Sequence, residues 1–105
     1  MDKKLLRQIK LNLNQTNISY HIIVTGKVQG VFFRRSAAKK ANQLALGGWV
    51  KNNPNGSVEI EVEGGIIAVT EFVDWCRKGP EYAIVTGIEQ KESALKSYSQ
   101  FRIIR

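Results

Sequence analysis

The sequence predicts a single α+β domain in which an antiparallel sheet carries two helices on one of its faces. Three observations lead to this prediction. The chain has 105 residues, 43% of them hydrophobic, which fits one core and one domain. Short runs of β-branched and alternating residues recur along it, and two stretches with apolar residues at helical spacing separate them. The resulting element order is β-α-β-β-α-β, with one further strand at the end.

The predicted strands are short and lie between glycine- or proline-containing breaks. We expect them over residues 18–25, 49–53, 57–63, 83–89 and 101–104. The third has the clearest pattern, because Val58, Ile60 and Val62 alternate with Glu59, Glu61 and Glu63. This alternation predicts one buried face, and we expect the three glutamates on the other face to lie in solvent.

Two helices are predicted, over residues 33–44 and 66–78. The first has one apolar face, formed by Phe33, Ala37, Ala41 and Leu44. The second repeats this spacing with Ile66, Val69, Phe72, Val73 and Cys76. Gly79-Pro80 ends it. The whole order is the ferredoxin-like split βαβ arrangement, which hosts many unrelated functions and therefore identifies none.

Residues 1–17 differ in composition from the rest of the chain. They are rich in Asn, Gln and Lys, and Leu5, Leu6 and Ile9 suggest only one short amphipathic turn. We expect a loosely ordered N-terminal extension followed by a domain over residues 18–105.

Composition restricts the possible partners. The formal charge of +7 favours anionic ligands, whether small phosphates or nucleic acid. The sequence has no apolar stretch long enough to span a bilayer and no secretory signal, and Cys76 is the only cysteine. We therefore expect a cytoplasmic protein without a membrane partner. One histidine and one cysteine exclude the usual His/Cys metal cages, so neither a metal nor another cofactor is expected.

The segment Gly26-Lys27-Val28-Gln29-Gly30-Val31-Phe32-Phe33-Arg34 links the first strand to the first helix. A loop of this kind can point successive backbone N–H groups inward and bind an anion, and the following helix N-terminus adds partial positive charge. Arg34 can reach the same anion with two parallel N–H donors. An ordinary turn followed by a solvated arginine is the simpler interpretation of the same residues. Walker A chemistry is excluded, because no Gly-Lys-Ser/Thr follows the loop.

This loop resembles the first signature of the acylphosphatase family. Gly48-Trp49-Val50-Lys51-Asn52, followed by a turn and Gly56-Ser57-Val58-Glu59, resembles the second, and the resemblance covers residues 18–105. It implies an enzyme that hydrolyses acyl phosphates, with Arg34 binding phosphate and Asn52 positioning the attacking water. The implied cradle consists of the backbone amides of Lys27, Val28, Gln29, Gly30 and Val31. Ala45 departs from the family pattern, which usually has glycine just after the first helix.

Two other functions remain open at this point. A non-catalytic phosphate or acyl-phosphate binding domain would have the same cradle. A single-stranded nucleic-acid binder uses the same element order, but it needs aromatic side chains on its third strand, and residues 57–63 contain none. We expect a monomer acting on a small-molecule acyl phosphate, without nucleic acid as a partner.

Overall fold

The computed structural model describes residues 2–14 and 16–105. In chain order, the elements are α1 (Lys3–Asn14), β1 (Asn17–Lys27), α2 (Phe33–Gln43), β2 (Gly47–Asn52), β3 (Val58–Gly65), α3 (Ile66–Cys76), β4 (Ile84–Ser93) and β5 (Phe101–Ile104). From β1 onward this is the predicted β-α-β-β-α-β order with an extra strand, and the α+β fold class is confirmed.

The five strands form one sheet in the order β4-β1-β3-β2-β5. The first three pairs are antiparallel, whereas β2 and β5 are parallel, so the sheet is mixed rather than wholly antiparallel. The short connection over residues 94–100 cannot carry the chain back along the sheet, so β5 runs opposite to β4. Since β2 also runs opposite to β4, β5 and β2 point the same way.

The core lies between one face of the sheet and the helices α2 and α3. Ile22 and Val24 of β1 and Val50 of β2 contribute fully buried side chains from the sheet. The predicted apolar faces of both helices pack on this layer, and the buried residues among them are Phe33, Ala37, Ala41, Val69, Phe72, Val73 and Cys76. Burial raises the pKa of the Cys76 thiol far above its usual range, so this cysteine is an unreactive part of the core.

The opposite face of the sheet is partly covered by residues 94–100. The Glu63 carboxylate accepts hydrogen bonds from the backbone N–H groups of Lys96, at 2.6 Å, and Tyr98, at 3.0 Å. Glu61 accepts one from the Tyr98 hydroxyl at 2.9 Å and contacts the Lys96 ammonium. Glu61 and Glu63 are only 7% and 6% exposed, so the expectation that they lie in solvent was wrong. Alternation correctly put them on the face away from the core, but it could not reveal the segment that crosses that face.

The N-terminal segment contains a helix of 12 residues, longer than the single turn that the sequence suggested. Leu5, Leu6, Ile9 and Leu13 share one side of it at helical spacing. The helix α1 packs beside α3, and the Ile66 N–H donates a hydrogen bond of 3.0 Å to the Thr16 carbonyl. Met1 and Gln15 lie outside the described residues. That residues 1–17 are loosely ordered in solution stays a prediction.

Ala45 follows α2 in the left-handed region, with φ of 56°. Its N–H donates to the Asn42 carbonyl at 3.2 Å, and the Leu46 N–H donates to the Ala41 carbonyl at 2.9 Å, so the turn ends the helix. The Cβ of alanine is unfavourable in this conformation, which glycine adopts freely.

We therefore expect Ala45→Gly to raise the free energy of unfolding by about 0.5–1 kcal/mol, measured by urea denaturation. Ala38→Gly, inside α2, is the matched control and should lower it by about 1 kcal/mol. A destabilised Ala45→Gly variant would show that the left-handed turn carries no strain.

Candidate active site

The loop between β1 and α2 is fixed by its valines and by its unusual backbone. Val28 and Val31 are buried in the core, with 1% and 5% of their surfaces exposed. Gly26 and Gly30 have φ of 122° and 74°, a region that favours glycine. Phe32 has φ of 64° although it is bulky, and its side chain is 67% exposed. A large residue held in this conformation, with its ring in solvent, marks local strain of the kind that clusters at functional sites.

This loop presents a run of free backbone donors. Among the described residues, the N–H groups of Gln29, Gly30, Val31 and Phe32 have no hydrogen-bond acceptor. The first N–H groups of α2 follow at once, and those of any helix start lack partners within the helix. Successive free N–H groups next to a helix N-terminus make an anion-binding concavity.

Arg34 lies in the first turn of α2 and is half-buried. Within the described part of the chain its guanidinium forms no ion pair or hydrogen bond. It lines an open cleft of about 300 Å³ together with Arg35 and Arg105, and none of the described residues places a carboxylate side chain in that lining. The cleft is therefore cationic, and the N–H donors of the Arg34 guanidinium are available to bind an anion.

Asn52 is the last residue of β2, where the strand pairs with Val58 of β3. It lines the same cleft, and its side-chain amide has no partner among the residues described. An amide of this kind can donate to one group and accept from another, which is what positioning a water molecule requires.

The Gln29 side chain connects the loop to the turn after Asn52. Its Nε2 donates to the carbonyl oxygens of Asn53, at 2.8 Å, and Ser57, at 2.9 Å. The turn is closed on itself as well, because the Asn53 N–H also donates to the Ser57 carbonyl at 2.9 Å. Two segments distant in sequence are thus held in one arrangement.

The structure brings together four of the residues implied by the resemblance: Val28, Gly30, Arg34 and Asn52 all line the cleft. Three others do not line it. Lys27 is exposed at the end of β1, Val31 is buried, and Gln29 points to the turn.

The remaining lining residues, apart from the predicted core residue Phe33, were missed by sequence reasoning: Phe32, Arg35, Ile103 and Arg105. Phe32 lies inside the first motif and Arg35 directly follows it, and this position in the sequence was the available signal. Nothing in the sequence shows that β5 lies beside β2, and this pairing is what brings Ile103 and Arg105 to the cleft.

The described residues contain no group of three or more His, Cys, Asp or Glu that could hold a metal ion. None of their helices is long and apolar enough to cross a membrane. What the cleft offers chemically is a set of cationic and neutral hydrogen-bond donors around a space that suits a small anion.

Comparison with known proteins identifies the family of this chain. The sequence profile of the acylphosphatase family matches residues 20–103. An acylphosphatase from Methylococcus capsulatus is 45% identical over 86 residues, which cover 81% of this chain and 94% of that protein. The solved acylphosphatase structures from Coxiella burnetii and Bacillus subtilis both superpose with a TM-score of 0.81, at 41% and 40% identity. Each comparison covers 84% of this chain, together with 93% and 99% of the respective relative.

The chain therefore belongs to the acylphosphatase family. It is a hydrolase that splits the carboxyl–phosphate bond of acyl phosphates and releases a carboxylate and inorganic phosphate.

We call the two hydrogen bonds from the Gln29 side chain to the turn the Gln29 bridge, and their contribution can be tested directly. Gln29→Glu replaces the Nε2 donor with an oxygen that faces two carbonyl oxygens, so both hydrogen bonds are lost. We expect the free energy of unfolding to fall by about 1–3 kcal/mol, together with slower hydrolysis of an aromatic acyl phosphate. Urea denaturation and a release assay give the two values. Gln90→Glu, on the edge strand β4, is the control and should change neither much. Unchanged stability and rate in Gln29→Glu would show that the bridge is not needed.

Proposed function

We propose that the backbone amides of the β1–α2 loop and the Arg34 guanidinium bind the phosphoryl group, while Asn52 positions the attacking water. The observation that carries this proposal is the run of four unpaired loop N–H groups, of which those of Gly30 and Phe32 belong to residues that line the cleft with Arg34 and Asn52. A phosphoryl group needs several donors at once, and among the described residues no carboxylate side chain lines the cleft to compete for them.

Phosphoryl transfer requires mainly positioning and electrostatic stabilisation of the oxygens on the phosphorus. Amides fixed by buried Val28 and Val31 need no rearrangement as charge redistributes during the reaction. The Arg34 guanidinium can meet two phosphoryl oxygens with two parallel N–H donors. Together they stabilise the transition state in the way that an oxyanion hole does.

For the attack on phosphorus, the orientation of the water molecule matters more than its deprotonation by a general base. The leaving group is a carboxylate, which departs without a strong general acid, and the water must approach in line with the bond that breaks. The Asn52 amide can accept a hydrogen bond from this water through its Oδ1 and donate another through Nδ2. His21, the only histidine, is not among the cleft's lining residues. Its Nε2 instead forms a hydrogen bond of 2.6 Å with the Glu59 carboxylate.

The acyl group would lie toward the apolar part of the cleft, against the exposed Phe32 ring and Ile103. We also propose that the reaction needs no metal or other cofactor, and that the protein acts as a cytoplasmic monomer without nucleic acid as a partner. The segment over residues 94–100 supports the last point, because its contacts with Glu61 and Glu63 cover the sheet face on which bases would stack, and residues 57–63 contain no aromatic side chain.

Metal independence predicts that hydrolysis of an aromatic acyl phosphate proceeds at the same rate in excess EDTA, because the cleft already supplies the positive charge. The measurement is a continuous absorbance assay with and without the chelator. A large loss of rate that magnesium restores would contradict the proposal.

Arg34→Lys should be nearly as damaging as Arg34→Ala, because lysine keeps the charge but loses the planar pair of donors. We expect each to cost about 3 kcal/mol or more of transition-state stabilisation, measured as kcat/KM. Arg35→Lys is the matched control next in sequence and should stay within a few-fold of the parent. An Arg34→Lys variant with nearly full activity would mean that charge alone is sufficient.

Asn52→Ala should reduce kcat by about a hundredfold or more while competitive inhibition by inorganic phosphate stays nearly constant. This separation is expected because the water matters mainly in the transition state. Asn52→Asp should be no better, since it places a negative charge beside an anionic substrate. Near-UV circular dichroism, which reports on nearby Trp49, checks the fold. A folded Asn52→Ala variant that has lost phosphate inhibition as well would assign Asn52 to phosphate binding instead.

A further inference from the structure

The helix α1 has an apolar face that the rest of the molecule leaves open. At 100° per residue, Leu5, Leu6, Ile9 and Leu13 fall within one sector of about 100°. Their exposed fractions are 53%, 44%, 38% and 49%, although α1 packs beside α3. We call these four residues the leucine face. So much apolar surface on one short helix is typical of a surface that is covered when the protein functions.

The other side of α1 is cationic. Lys3, Lys4, Arg7 and Lys10 occupy it, the helix contains no acidic residue, and Asp2 just before it is the only carboxylate nearby in sequence. None of these four cations forms an ion pair within the described residues. Leu11 also lies on this side and is the one apolar residue outside the leucine face. Opposed apolar and basic faces on one helix are the arrangement found in helices that lie in a membrane interface.

The charge of α1 indicates which kind of partner could cover the leucine face. A second copy of this chain would bring another cationic helix, and the whole chain carries +7, so self-association brings like charges together. A nucleic acid would use the basic side but leave the leucine face in water. An anionic lipid surface satisfies both sides, because acyl chains accept the leucines and headgroups attract the lysines and the arginine.

We propose that α1 is a peripheral anchor that places this enzyme on anionic lipid bilayers. The helix lies flat, with the leucine face in the boundary between headgroups and acyl chains and the cations among the headgroups. At 12 residues it is about 18 Å long, too short to cross the hydrocarbon core. The expectation of no membrane partner rested on the lack of a spanning segment, which a helix lying on the surface does not need.

The proposal predicts a specific pattern of vesicle binding. The full chain should co-sediment with vesicles of equal parts phosphatidylcholine and phosphatidylserine at low salt, and not with phosphatidylcholine alone. Lys4→Gln/Arg7→Gln/Lys10→Gln should weaken binding on the order of a hundredfold, since each cation contributes about fivefold. Leu6→Gln/Ile9→Gln keeps every charge and should weaken it about tenfold.

Matched controls place the same changes elsewhere on the surface. Lys39→Gln/Lys78→Gln/Lys91→Gln removes the same net charge from exposed positions outside α1. Ile84→Gln/Leu95→Gln removes two exposed apolar side chains outside α1. Both controls should bind anionic vesicles within a few-fold of the parent. Acyl phosphate hydrolysis should be unchanged in the α1 variants, so a failure of this proposal is distinguishable from a failure of the proposed mechanism.

Three results would overturn the proposal. One is no binding to anionic vesicles at low salt. Another is equal binding by Leu6→Gln/Ile9→Gln and the parent, which would reduce the contact to charge alone. The third is a concentration-dependent dimer in sedimentation equilibrium that Leu6→Gln/Ile9→Gln abolishes, which would assign the leucine face to a second copy of the chain.

Discussion

The anion site joins two parts of the chain, and the side-chain amide of Gln29 holds them together. On one side is the β1–α2 loop with its free N–H groups, and on the other is the turn that follows Asn52. The two hydrogen bonds from Gln29 reach carbonyl oxygens at both ends of that turn, at Asn53 and Ser57. Neither Arg34 nor Asn52 has a side-chain partner of its own among the described residues, so we expect this connection to help fix their relative position.

Leaving donors unpaired is unfavourable for folding, and the surrounding structure compensates for it. Val28 and Val31 fix the loop through core packing. The strand β1 before the loop and the helix α2 after it hold its two ends. Phe32 remains in the left-handed region at the mouth of the cleft. The strain and the unpaired amides occur in the same few residues, where a bound phosphoryl group would satisfy the donors. The loop is therefore less stable than it would be with paired donors, but its N–H groups are free to bind an anion.

Much of this could be predicted from sequence, because local patterns determine it. Alternation in β3 and helical spacing in α2 and α3 indicated the order of the elements, and the resemblance to the two acylphosphatase signatures indicated Arg34 and Asn52. Ala45 stands where the family pattern usually has glycine, and its backbone is in the left-handed region that glycine favours. Glu61 and Glu63 show where local pattern fails, since their burial depends on the crossing segment over residues 94–100.

The same limit applies at the cleft. Ile103 and Arg105 reach it only because β5 pairs with β2, a contact between distant segments that no local pattern encodes. The bridge from Gln29 is also a long-range contact: the motif indicated the residue, but only the structure shows that its side chain faces the turn rather than the anion. The length of α1 was missed because only Leu5, Leu6 and Ile9 were considered, and Leu13, which continues their helical spacing by one more turn, was overlooked beside Asn12 and Asn14.

The central claim is that the preformed run of free N–H groups in the β1–α2 loop binds phosphate without a metal. The most direct test is a titration of the ¹⁵N-labelled protein with inorganic phosphate in excess EDTA, followed by amide chemical shifts. Our account predicts that the largest saturable shifts fall on Gln29, Gly30, Val31 and Phe32, and that Arg34→Ala weakens the binding but leaves the same amides responding. Shifts that appear only after magnesium is added, or that fall outside this loop, would contradict it.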